Sequence, residues 1–98
     1  MTEERLPPPA APAQVEGTVA LFAALAHPVR LQVVLLLDAL GEATVSELQE
    51  GIGAEQSALS HQLSTLRRAR LVRSERVGRT VVYRLADHHV AHIVRDAV

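Results

Sequence analysis

Apolar residues recur at helical spacing from Val15 onward. Val19, Phe22, Leu25 and Ala26 fall in register for a first helix over about residues 15–26. Pro28 suits the first turn of a second helix, because its missing N–H would be unpaired there in any case. That helix runs to Leu40, is apolar nearly all round, and stops at Gly41, a residue suited to the position just past a helix end. An apolar circumference has to be buried, which places this helix at the domain centre. His27, ahead of the proline, is expected to be extended and to cap it.

Thr44-Val-Ser-Glu47 has the form of a capping box, in which hydroxyl and carboxylate satisfy each other's backbone N–H groups. A short third helix, Ser46 to Ile52, follows and ends around Gly51 and Gly53. Glu55 to Arg70 form a fourth helix with Leu59, Leu63 and Leu66 as its inward stripe. Its opposite surface carries Gln56, Ser57, Ser60, His61, Ser64, Arg67 and Arg68. Two helices joined by a tight glycine turn, the second polar on its outer face, predict a helix-turn-helix.

The period then changes. Val72, Ser74 and Arg76 alternate with Arg73, Glu75 and Val77, and beyond Gly78-Arg79, Val81, Tyr83 and Leu85 alternate with Val82 and Arg84. This predicts a β-hairpin turning at Gly78, which must pack on the helices because two strands are marginal alone. Asp87 opens a fifth helix with Val90, Ile93, Val94 and Ala97 on one side. The predicted fold is mainly α with a small β-hairpin, a winged helix-turn-helix in the order α-α-α-α-β-β-α. Residues 1–14 hold four of the five prolines and no apolar period, so they are expected to form a disordered arm ahead of a 15–98 domain.

Composition changes this picture in three ways. A 98-residue chain is one domain and buries only about 60–65% of its unfolded surface. With Phe22 and Tyr83 as its only aromatic residues, such a core calls for the extra burial of a homodimer. The absence of cysteine excludes disulfides, thiolate metal sites, cysteine nucleophiles and thiol redox sensing. No apolar run has the length of a membrane span and no signal-peptide pattern opens the chain, so no membrane partner and a cytoplasmic location are expected.

The net charge of −1 conceals a division. Residues 1–50 hold seven acids and two arginines, whereas residues 51–98 hold four acids and eight arginines. Between His61 and Arg84, seven arginines face one acid, Glu75. Such asymmetry points to double-stranded DNA. Every basic residue is arginine, whose planar fork suits phosphates and guanine edges. On the fourth helix, Gln56 can read adenine bidentately, while Ser57, Ser60, His61 and Ser64 offer less specific bonds. The bland alternative is an ordinary solvated helix face, and the arginine hairpin decides against it. Not all the arginines can be contacts, since some are expected to be solvated or paired with Glu75. The DNA-binding set is Gln56, Ser57, Ser60, His61, Ser64, Arg67, Arg68, Arg76 and Arg79. Arg30 is either structural or reaches a phosphate.

His88, His89 and His92 lie beside Asp87 and near Asp96. Imidazole with carboxylate suits Zn²⁺, Ni²⁺ or Co²⁺. Against this, Asp87 is a natural N-cap, and exposed histidines on a helix are ordinary. Spacing also splits the set: His88 and His92 share one face, while His89, His92 and Asp96 share another. Ser, His and Asp are all present for a hydrolase, but no nucleophile elbow, phosphate loop or HExxH occurs, so an enzyme is not expected. A winged helix used only for protein contact is disfavoured by the arginine hairpin.

The sequence resembles the ArsR/SmtB family of metal-responsive bacterial regulators. Leu21 to Leu31 (LFAALAHPVRL) resembles the family's opening signature, and Gln56 to Leu66 (QSALSHQLSTL) its recognition helix. Gly78 to Tyr83 (GRTVVY) is similar to the wing, and Asp87-His-His89 to the start of the C-terminal helix in metal-sensing members. The resemblance covers roughly residues 19–98. It implies a two-fold dimer paired through its first and last helices, reading an inverted-repeat operator in successive major grooves about 34–36 Å apart. It also implies Asp87 and His89 as metal ligands, with His88, His92 and Asp96 as further candidates, for Ni²⁺ or Zn²⁺. The second Asp/His pair of that pattern would fall beyond Val98, so it is expected either to lie in a longer chain or to be replaced by His92 or Asp96 of a partner. The family's Cys-x-Cys site is absent, since that stretch reads Val45-Ser-Glu-Leu48. The competing expectation is the same winged helix without its own metal site, controlled by a partner protein or another ligand.

Overall fold

The computed structural model describes residues 5–98. Five helices and three strands follow in the order α1 (Pro12–Leu25), α2 (Pro28–Leu40), β1 (Ala43–Thr44), α3 (Val45–Ile52), α4 (Gln56–Arg68), β2 (Val72–Val77), β3 (Thr80–Leu85) and α5 (His88–Ala97). The strands form an antiparallel sheet ordered β1-β3-β2. This is the expected winged helix-turn-helix.

The central place of α2 follows from its apolar circumference. Val33, Val34 and Leu37 are fully buried, and α2 packs on α3, α4, α5 and β3. Leu48 of α3 and Leu59, Leu63 and Leu66 of α4 complete the core. Val72 and Leu85 at the base of the hairpin, with Val90, Ala91 and Val94 of α5, close it. Each fully buried leucine contributes about 1.5–3 kcal/mol by removal from water.

Local chemistry sets the helix ends. The His27 ring accepts a bond from the Val29 N–H at 3.1 Å, as expected of an extended residue ahead of Pro28. Thr44 and Glu47 form both bonds of the capping box, at 2.9 and 3.1 Å. Gly53 ends α3 in the left-handed region. Arg70 ends α4 with φ of 63°, and the Arg70 and Leu71 amides return to the carbonyls of Arg67 and Leu66. That pair of bonds is the Schellman arrangement, with arginine in the place glycine usually takes.

One expectation needs correction, and two features were not anticipated. The first helix begins at Pro12, not near residue 15, because proline fits the first turn and the Gln14 side chain caps the Ala11 N–H. The last residues of the expected arm are therefore helical, and residues 1–4 of that arm lie outside the described residues. Strand β1 was not expected: two residues are too few to show alternation, and Thr44 takes its extended backbone both as helix cap and as edge partner of Val82. Finally, the apolar stripe that located α1 lies mostly outside the core, which the spacing alone did not say. Only Leu25 is buried, while Val15, Val19 and Phe22 are 47%, 61% and 51% exposed.

Candidate functional site

Burial of Leu59, Leu63 and Leu66 fixes which way α4 faces. It leaves Gln56, Ser57, Ser60 and His61 exposed, and Ser64 half-buried, along the opposite side. The first turn of α4 has no side-chain cap, so its amides and the positive end of its dipole face outward. The Ser57 hydroxyl donates to the Glu55 carboxylate. Arg67 and Arg68 belong to the other end of the helix, about 15 Å along the axis from Ser57. There Arg67 reaches the Ser74 hydroxyl on β2 at 3.4 Å, and Arg68 the Thr65 hydroxyl at 3.5 Å. The expected set on α4 is thus two groups on one helix.

The hairpin register sorts the arginines in a way the sequence left open. Arg73 lies opposite Arg84, an unfavourable pairing of like charges. Both are held internally. Arg84 pairs with Glu42 at 3.1 Å and Glu75 at 3.5 Å, and Arg73 donates to the Ala86 carbonyl at 3.1 Å. The side chains of Arg76 and Arg79 make no hydrogen bond or ion pair among the described residues, and both residues are exposed. Gly78 turns the hairpin with φ of 65°, and Arg79 beside it lines a shallow cleft with Thr44, Val45 and Ser46 at the start of α3. The wing tip is therefore on the helix-turn-helix side of the molecule.

At the start of α5, the carboxylate of Asp87 accepts the His89 N–H at 2.8 Å, and the same oxygen lies 2.8 Å from the His89 ring Nδ1. These bonds hold the Asp87 carboxyl below its ordinary value of 3.8, so it accepts only and Nδ1 carries the proton. In the neutral ring this tautomer leaves the lone pair on Nε2, on a side chain that is largely exposed.

The other candidates are drawn elsewhere. Arg95 Nη2 lies 2.9 Å from His92 Nδ1. A guanidinium only donates, so that nitrogen accepts and Nε2 holds the proton, leaving His92 no lone pair for a metal. His88 turns toward Asp38 of α2, at 3.6 Å, and Arg95 pairs with the same carboxylate at 3.1 Å. Asp96 is exposed. Among the described residues no three His, Asp or Glu side chains converge as metal ligands. The donor chemistry of Asp87 and His89 fits a metal, but one chain supplies half a site at most.

Sequence reasoning missed Asp38 and left Arg30 open. Arg30 turns inward. Its Nε donates to the Ala24 carbonyl at 2.6 Å, Nη1 to Gln62 Oε1 at 2.6 Å, and Nη2 to the Ala23 carbonyl at 3.5 Å. Both residues sit on the polar strip of a largely apolar helix. That was the available signal, because charges on a central helix need partners.

One further surface stands out. Phe22, Leu25, Ala26 and Leu31 form an open apolar cleft with Ile93, Val94 and Val98, and Phe22 continues it onto Val15 and Val19 of α1. Among the described residues no single helix is long and apolar enough to cross a membrane; α1 and α2 reach that length together only across a 94° bend.

Residues 27–74 match the family described as "Bacterial regulatory protein, arsR family". The transcriptional repressor SmtB of Mycobacterium tuberculosis H37Rv is 49% identical over 78 residues, which are 80% of this chain and 57% of SmtB. The transcriptional regulator NmtR of the same strain is 47% identical over 88 residues, 90% of this chain and 70% of NmtR. Among solved structures, the transcriptional repressor BigR from Xylella fastidiosa superposes with a TM-score of 0.79 at 36% identity, covering 86% of this chain and 85% of BigR. The chain thus spans little more than half of SmtB and over two thirds of NmtR.

Proposed function

The chain belongs to the arsR family of bacterial regulatory proteins, and we propose that it is a cytoplasmic transcriptional repressor binding an inverted-repeat operator in double-stranded DNA as a homodimer. A regulatory family leaves no place for the hydrolase reading. The observation that carries the proposal is the arrangement of α4 and the wing. Gln56, Ser57, Ser60 and His61 face outward from one end of the recognition helix, while Arg76 and Arg79, unpaired among the described residues, extend from the wing. The wing arginines then hold phosphates, and Gln56 with its neighbours meets base edges. The exposed apolar face of α1 and α5 supports the dimer, because contiguous apolar surface on a small domain marks an interaction site.

The deciding experiment is a titration of the inverted repeat upstream of its own gene at several salt concentrations. Affinity should fall with a log–log slope of about −0.9 per neutralised phosphate. Affinity that does not change with salt overturns the DNA reading.

For the response, we propose that Asp87 and His89 are one chain's share of a site for a divalent transition metal, Ni²⁺ or Zn²⁺, completed by a second copy. When bound, such a metal supplies a cross-link between the two α5 helices. The chain's own part is to keep His89 oriented, with Nδ1 bonded to the Asp87 carboxylate and Nε2 turned away from it. The second reading, a regulator without its own metal site, is favoured by the engagement of His88 with Asp38 and of His92 with Arg95. Calorimetric titration of the dimer with Ni²⁺ and Zn²⁺ separates the two readings: no heat from either metal leaves the second.

A further inference from the structure

We propose that Arg30, through Gln62, is the positioning residue that locks the recognition helix to the dimer face and so sets which half-site spacing the operator must have. The proposal rests on the reading of the protein as a DNA-binding dimer.

One guanidinium ties three helices together. From α2, Arg30 donates to the last carbonyls of α1, at Ala24 and Ala23, and to the side chain of Gln62 on α4. The Ala24 carbonyl lacks an intrahelical partner, since Pro28 has no N–H to give it, while Ala23 also accepts the Ala26 N–H at 3.2 Å; both lie at the negative end of the dipole. The last turn of α1 has no basic residue of its own, so Arg30 is the cation at that end. The packing of α1 here is light: Gly17, Ala20 and Leu21 line an open cleft with Ala69 just past α4, and in α1 only Leu25 is fully buried, with Leu21 and Ala24 partly so. The planar fork of arginine restrains direction as well as distance, which a lysine ammonium does not.

The consequence is one of leverage. The proposed dimer surface lies on α1 and α5, while bases are read from α4 one residue before Gln62, at His61, and earlier. Recognition helices about 34 Å apart each stand about 17 Å from the two-fold axis. A tilt of about 10° of α4 against α1 then displaces each helix by about 3 Å and changes their separation by up to about 6 Å, more than one base-pair step of about 3.4 Å. Removing the clamp should therefore blur spacing discrimination rather than abolish binding.

The test uses Arg30→Met, which keeps the aliphatic stem, and Gln62→Met, at a half-exposed position on α4 where folding is less at risk. Affinity is measured for the operator and for versions with one base pair added or removed at its centre. Wild type should prefer its own spacing by about 30-fold, and both variants should narrow that preference to about threefold. In parallel, Ala58→Cys introduces a lone thiol into a cysteine-free chain, and spin labels on it report the distance between the two α4 helices of the dimer without DNA. That distance should be narrow in the parent and broad in both clamp variants. Spacing preferences equal to wild type, or label distances that superpose on the parent's, overturn the proposal. If the wild-type chain binds no inverted repeat, the DNA reading and the spacing role fall together. The label distances then decide whether the clamp itself exists, broad distributions supporting it and unchanged ones refuting it.

Discussion

Arg70 sits with φ of 63° at the end of α4, where the chain reverses toward β2. A side chain in the left-handed region costs about 1–2 kcal/mol. Part of that is offset by the flexibility glycine would add to the unfolded chain. Arg70→Gly should therefore raise stability by about 0.5–1 kcal/mol, read from the midpoint of urea unfolding. At the other end of the hairpin, Asp87 has two roles that one substitution separates. Asparagine caps helices as well as aspartate, so Asp87→Asn should leave the circular dichroism of α5 unchanged. It should also weaken Ni²⁺ or Zn²⁺ binding by roughly tenfold or more, because the carboxylate that orients His89 is gone. The pH response has a defined sign. The Asp87 carboxyl is held below its ordinary value of 3.8, so its contribution to folding is present above that value and is lost only in stronger acid. If the proposed metal site exists, metal affinity measured by calorimetry should fall as pH drops, because imidazole must be neutral to ligate. At this scale the sequence was most legible where partners lie within a few residues, as in the Thr44–Glu47 box and the caps at His27 and Asp87. Arg30 was opaque because its side-chain partner, Gln62, is 32 positions away.

Among the elements, the proposed function gives α4 and the wing distinct tasks, and substitutions should tell them apart. Arg79→Ala removes a phosphate-directed charge and should lower affinity for all sequences, with the salt slope reduced by about one. Gln56→Ala should instead relax preference at one base pair per half-site, an effect of about 1–3 kcal/mol read by competition among variant operators. Uniform loss in both variants would remove Gln56 from base reading. Arg84→Ala is the control: its guanidinium is held by Glu42 and Glu75, so it should affect DNA affinity less than Arg79→Ala. The hairpin pattern placed Arg79 at the turn and Arg84 in a strand, but it did not show which of the two is paired. The distinction came from register, which sets Arg73 against Arg84 and brings two carboxylates to relieve the repulsion. Long amphipathic elements were legible for the opposite reason. The Leu59, Leu63 and Leu66 stripe and the Gly78 turn are repeating or local signals, while two-residue β1 has no period to detect.

For the whole molecule, the decisive feature is an apolar stripe with correct helical spacing that lies mostly outside the core. The periodicity of Val19, Phe22, Leu25 and Ala26 located α1 but gave no indication that Val19 and Phe22 stay exposed while Leu25 is buried. Periodicity identifies a buried face, and burial against a second chain follows the same rule as burial against one's own. The small core, nearly without aromatic residues, had already called for further burial. The exposed stripe and the cleft it forms with Ile93 and Val94 are where that burial is available. Phe22→Asp replaces a half-exposed side chain, so the monomer should keep its helical circular dichroism. A carboxylate in the centre of an apolar interface has no partner there, so association should be lost, with sedimentation velocity giving a monomer where wild type gives a dimer. Each monomer then holds one half-site without its neighbour's help, and operator affinity should fall about 100-fold or more while the contacts of α4 and the wing are untouched. A Phe22→Asp chain that stays dimeric would place the two-fold contact elsewhere, and α1 would then need a different partner to cover it.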